Sequence, residues 1–464
     1  MKKGLSIFVI IMLLLMLCVL NSCELPNFGN ANSSFSKGLA FELNKDGESY
    51  SVVGIGTCTD KDIVIPDTHE DLSVTTIGAN AFRNCEWIKS VRIPNSVTSI
   101  KNHAFYNCES LESIVIPDSV TSIRNSAFSN CESLESIVIP DSVRGIDNYL
   151  FKGCKSLVNV HIPNSTQCIG DYAFEHCKSL KSIEMPESVI TIGDYSFIGC
   201  DSLTSVKIPD SVISIGEQAF YSCESLEKVY LGESVESIGD SAFERCTSLT
   251  SIELPKSVTS VGKSAFFGCK SIESVVIANS VKSIAYATFA GCSSLMSINI
   301  PDSVESIGEM VFYECSLLES IVIPDSVNSV GEYAFGNCSL LERVVIGNSV
   351  TSIEDGAFDD CSSLKRIELP ESVKRIGNYA FNNCVSLESV VIGDSVASIG
   401  NYAFYECTAL KSIEIPDCVE HVGEYAFYKC TSLSIFCEAE DWPRGWDTRW
   451  NYSGRPVVWG YTGE

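Results

Sequence analysis

The chain has 464 residues, 59 of them acidic and 32 basic, for a formal net charge of −27. A surface this acidic repels nucleic acid and anionic polysaccharide, which argues against both as partners. Length alone would suggest about three domains, a prior that a single unbroken repeat overrides.

Lys2 and Lys3 precede an apolar run from Leu5 to Leu20. The run is too short and too close to the start for an ordinary membrane span, so residues 1–22 read as a secretory signal. Leu20-Asn21-Ser22-Cys23 follows at once and resembles a lipobox, in which Cys23 becomes the lipidated N-terminus. A plain signal cut nearby is the alternative. Residues 23–37, small and polar, read as a lipidated tether.

Residues 38–77 are not a full repeat. Leu39 to Leu43 and Tyr50 to Val53 flank Asn44-Lys45-Asp46-Gly47, the pattern of a β-hairpin. Ile63-Val64-Ile65-Pro66 then matches the strand of the repeats that follow, and residues 69–73 interrupt the register. This region reads as an N-terminal cap with one degenerate coil.

From residue 78 to 432 one 23-residue unit recurs sixteen times without insertion or deletion, marked by Phe82 and Cys85 at the first copy and Phe427 and Cys430 at the last. Such self-similarity is the mark of a solenoid. Within one copy, Leu111, Ile114 and Ile116 alternate inward with outward residues and stop at Pro117, which predicts a short buried strand. Asp118 and Ser119 supply turn chemistry by bonding nearby backbone groups. Val120 and Ile123 form a second apolar segment. Ala127 and Phe128 then open the next copy with a tight helical turn that carries Cys131. The fold class is therefore a β-rich repeat solenoid, right-handed as parallel crossovers nearly always are. It carries a parallel sheet on one face, short helical turns, and N- and C-terminal caps. Strands stacked ~4.8 Å apart give a body roughly 75–80 Å long.

After Leu433 the ladder breaks. Four of the five tryptophans, Trp442, Trp446, Trp450 and Trp459, fall in the final segment, residues 433–464. The cluster reads either as a cap over the last coil, which every solenoid needs, or as a platform that stacks on sugar.

Sixteen of the 22 cysteines form one column from Cys85 to Cys430. An exported chain invites a disulfide reading. However, stacked side chains that point the same way offer poor geometry for a bridge, and a column of reduced thiols in small apolar slots fits the period better. Cys58, Cys168, Cys418 and Cys437 lie outside the column and are the better candidates for any bridge; their state stays open.

Enzyme motifs are missing, so the chain reads as no enzyme and without cofactor. The five histidines occupy unlike repeat positions. Gly262-Lys263-Ser264 resembles the end of a phosphate loop but lacks the upstream glycine, since Ser257 stands there. The Asp/Asn column after Pro, including Asp118, Asp141, Asp302 and Asp325, could collect cations or simply form turns.

The repeat A-F-x-x-C-x-S-L-x-S-[IV]-x-I-P-[DN]-S-V-x-S-I-G resembles the 23-residue leucine-rich repeat of the BspA-like family of bacterial surface proteins. The resemblance implies a leucine-rich-repeat superhelix at the cell surface, with some members binding host matrix proteins or other bacteria. It brings no catalytic residues.

Two surface features remain. The position between the two strand isoleucines holds Val115, Val138, Val276, Val322, Val345 and Val391. Valine there reflects either β-propensity or an apolar stripe for a partner protein. Two residues before the repeat Phe, tyrosines recur as Tyr149, Tyr172, Tyr195 and again as Tyr379, Tyr402, Tyr425. They are either packing against the neighbouring coil or a contact edge, since tyrosine offers large area at low entropy cost. The reading is a monomeric lipoprotein that binds a protein ligand on host or bacterial surfaces, touches membrane only through its N-terminal lipid, and binds no nucleic acid. A non-adhesive envelope scaffold is the alternative.

Overall fold

A computed structural model describes residues 34–463. The signal segment and Cys23 lie outside them. The body is a solenoid of parallel strands in a strict 23-residue register. Ser90 pairs with Ser113, Val91 with Ile114 and Arg92 with Val115. Far along the chain, Ser320, Ile321, Val322 and Ile323 pair with Arg343, Val344, Val345 and Ile346. The β-branched residues that alternate along each strand put one side inward, so Ile321 and Ile323 are buried while Ser320 and Val322 face solvent.

Most circuits add a second, two-residue strand from the segment that follows the first; in the coil of Val138 only an isolated bridge, Ile146 to Ile169, forms there. Ser99–Ile100 and Ser122–Ile123 are adjacent rungs of that ladder. The coil is thus closed by two parallel sheets, the second built from the Val-x-x-Ile segment.

The expected short helical turns are not present: no helix forms among the described residues. The reason lies in the backbone. The residue two before each repeat Phe and the residue two after it both have positive φ, as at Tyr149 (59°) and Gly153 (72°) or Tyr402 (55°) and Glu406 (58°). A left-handed residue every four positions stops a right-handed helix after one turn. The alternate amides then turn outward along the solenoid axis. The N–H groups of Tyr149, Phe151 and Gly153 donate to the carbonyl oxygens of Asp171, Ala173 and Glu175 in the next coil, at 2.9, 2.8 and 2.7 Å. Inter-coil bonds replace helical ones on this edge.

The core runs the length of the body as columns. The repeat phenylalanines stack ring on ring from Phe82 to Phe427, as in Phe220 on Phe243 at 5.2 Å and Phe243 on Phe266 at 5.5 Å. All sixteen column cysteines are buried, and all twenty cysteines of the described residues are free. From Cys108 onward each column thiol donates to the carbonyl oxygen of the Phe in the preceding coil; Cys246 reaches Phe220 at 3.2 Å and Cys108 reaches Phe82 at 3.1 Å. The turn serines do the same. Ser119 Oγ donates to Val97 O at 2.7 Å and Ser326 Oγ to Val304 O at 2.6 Å, so these hydroxyls bond across coils rather than to their own turn.

Both ends are covered. At the start, Ala40–Leu43 pairs antiparallel with Ser49–Gly54, which joins the second ladder through Leu72–Ile77. The interruption at residues 69–73 is a small hairpin of its own: Thr68–His69 pairs back on Leu72 and Ser73. Glu70 and Asp71, both left-handed, form its turn. At the other end Trp446 and Trp450 are buried. Trp450 meets Phe427, the last ring of the column, edge-on at 6.0 Å, and Trp446 Nε1 donates to Val419 O at 2.9 Å. Trp442 stays exposed.

Candidate binding surfaces

Among the described residues, no three His, Cys, Asp or Glu side chains come together as a metal would require. Burial pushes the thiols of Cys154, Cys223 and Cys292 up to about 12, which keeps them protonated and unreactive. Cys58 packs in the core near Cys85, and burial together with that neighbour raises Cys85 to about 11. Cys437 is buried at a strand position, Cys168 is exposed, and half-buried Cys418 takes the place of a turn serine, with Sγ donating to Val396 O at 3.3 Å. In the acidic column after the prolines, two members bond backbone amides across coils: Asp210 Oδ1 accepts from Glu233 N at 3.0 Å and Asp325 Oδ1 from Asn348 N at 2.7 Å. Lys263 N is held in the same manner by Asp240, at 2.7 Å, so Gly262-Lys263-Ser264 is an ordinary repeat turn.

The outward strand row is accessible. Val322 is 59% exposed, Val138, Val276 and Val391 are about half exposed, and Val345 is 40% exposed; Val115 is half-buried. They do not form one continuous stripe. Val322 and Val345 sit side by side, whereas Val276 lies between Glu253 and Asn299, and Val391 lies beside Glu368. Exposed apolar side chains are most frequent in the three coils that hold Asn299, Val322 and Val345, where Met296, Leu317 and Leu340 are also exposed. Those three escaped the sequence reading. The available signal was leucine at 317 and 340 in a column that holds serine at Ser110, Ser133 and Ser156.

The tyrosines form two stacks. Tyr149, Tyr172 and Tyr195 stack at 4.8 and 4.6 Å with rings nearly parallel. Tyr379, Tyr402 and Tyr425 stack at 5.0 and 5.1 Å. Every one of them has positive φ, a costly backbone for a bulky residue, and the same φ recurs at Gln218, Ser241 and Met310, where no tyrosine stands. The second stack broadens into a platform: Tyr405, Tyr428 and Tyr452 pack against it at 5.2–5.7 Å, and Arg449 lies over Tyr425.

Residues 57–181, 167–296, 283–411 and 338–439 match the family described as BspA type leucine rich repeat region. A leucine-rich repeat protein from Bacteroides ovatus is 32% identical, with 88% of this chain and 100% of that chain covered and a TM-score of 0.70. A leucine rich cell surface protein from Faecalibacterium prausnitzii is 25% identical over 94% of this chain and 100% of that one, with a TM-score of 0.42. The pneumococcal vaccine antigen PcpA is 17% identical over 92% and 98%, with a TM-score of 0.43. No curated protein matches.

Proposed function

The chain belongs to the BspA-type leucine-rich repeat family, and on that premise we propose that it is an exported surface lipoprotein that binds other proteins, chiefly as an adhesin for host matrix or bacterial surface proteins. The observation that carries this reading is the exposed, adjacent pair Val322 and Val345 on the parallel sheet. A protein that varies its outward row while holding its inward columns fixed offers many coils to a partner, and a standard interface needs only about 800 Å² from each side. The net charge of −27 favours a basic or apolar partner over an acidic one.

Display and anchoring are tested together. Protease added to intact cells should remove the protein, and Cys23→Ser should shift it from the detergent-soluble membrane fraction to the soluble one. A mature N-terminus mapped away from Cys23 would remove the lipid anchor from the account. Protection from protease on intact cells would leave the protein as an internal envelope scaffold.

A further inference from the structure

The tyrosine column stops beside its first stack, and the place where it stops is a cleft. Tyr149 stacks on Tyr172 at 4.8 Å on one side. One coil earlier, on its other side, the same column holds Ser126 and the adjacent column holds Ser129. Two small side chains stand where rings stand in other coils. The backbone is no obstacle to a ring there, since φ is 57° at Ser126 and 59° at Tyr149. The space left open is about 220 Å³, lined by Tyr106, Ser126, Ser129, Tyr149 and Lys152. That is below the ~300–1,000 Å³ of sites that hold drug-sized ligands, so it suits one ring rather than several.

We propose that this cleft binds a single neutral pyranose residue of a glycan. The lining has two characters. The rings of Tyr149 and Tyr106 give apolar faces, the tyrosine hydroxyls and the Lys152 ammonium give hydrogen-bonding groups, and Ser126 and Ser129 are themselves buried. A pyranose matches that pairing, with an apolar C–H face and a rim of hydroxyls. An aromatic side chain from a partner protein would cover the rings but leave the polar groups that it buries without partners, at a cost. Charge decides against an acidic sugar. Lys152 is paired with Glu175 at 2.9 Å, which balances the cleft locally, and the surrounding surface is acidic. The ammonium carries three donors that ring hydroxyls can accept from.

The test is saturation-transfer NMR on the full chain with methyl glucoside, galactoside and mannoside. At least one epimer should receive saturation on its C–H face at millimolar concentration. Ser126→Tyr supplies the missing ring and should abolish the signal, while Tyr149→Ala should weaken binding about tenfold, the scale of one aromatic contact. Ser241→Tyr adds a ring to the same column far from the cleft and should change nothing. If Ser126→Tyr does not fold, Tyr149→Ala carries the test. No transfer to any epimer, unaltered binding by Tyr149→Ala in a folded protein, or tighter binding of N-acetyl-tyrosinamide than of any sugar would each overturn the proposal.

Discussion

Ile321 and Val322 are neighbours on one strand, and they differ in everything that matters for function. Ile321 is 2% exposed and sits in a column whose members across the solenoid are isoleucine or valine; Val322 is 59% exposed in a row that elsewhere holds Arg92, His161, Lys207, Tyr230 and Glu253. The inward column is constrained by the coils above and below it. A side chain of another size there either leaves a void or overfills a close-packed stack. The outward row has no such neighbour beyond its strand partners, and it varies. The lesson is that in this chain uniformity marks structure and departure from uniformity marks candidate function.

Breaking the inward side should give the largest effect. Phe243→Ala removes a ring packed between Phe220 and Phe266 and should cost about 3–5 kcal/mol, as phenylalanine truncations in cores do. Because each coil leans only on its neighbours, hydrogen exchange should show the loss centred on the flanking coils, with the ends of the solenoid little altered. A uniform loss along the whole body would mean that the coils do not act as local units.

The thiol column gives a smaller effect, gated by pH. Burial raises Cys154, Cys223, Cys292 and Cys338 from the ordinary 9.0 to about 12. Above pH 9 the unfolded chain sheds these protons while the folded one keeps them, so stability falls as pH rises. The stabilisation is complete below about pH 9 and is lost progressively between about 9 and 12. Denaturant melts at pH 7, 9 and 10.5 check the sign. Alkylation of the native protein at pH 8 should label exposed Cys168 well before the column. Fast labelling of column cysteines in folded protein would contradict their burial.

The repeat length, the inward columns and the parallel register were legible in the sequence because each side chain recurs against its own copy. What escaped was everything decided by backbone sign or by a partner one coil away. Nothing in A-F-x-x-C announces that Tyr149 and Gly153 are left-handed, since Asn, His, Ser, Tyr and Met all occupy those places; a helical turn was the natural expectation and it was wrong. The bonds from Cys246 to Phe220 O and from Ser119 to Val97 O also look local in one repeat, and only the stacked coil supplies the acceptor. The candidate surfaces were half legible: the valines and tyrosines stood out as columns, whereas Met296, Leu317 and Leu340 were missed, being departures within columns rather than columns of their own.

The smallest structural effect belongs to the outward row, where the functional effect should be greatest. Val322→Glu with Val345→Glu changes two exposed side chains and should leave the circular-dichroism spectrum unaltered, with each substitution within about 0.5 kcal/mol in stability, as surface changes are. Binding of the wild type and of this double variant to immobilised matrix and bacterial surface proteins, with melting measured on the same samples, tests the account most directly. The wild type should capture at least one partner, and the folded double variant should lose that capture. Equal capture by both proteins, or no capture by the wild type, would contradict it.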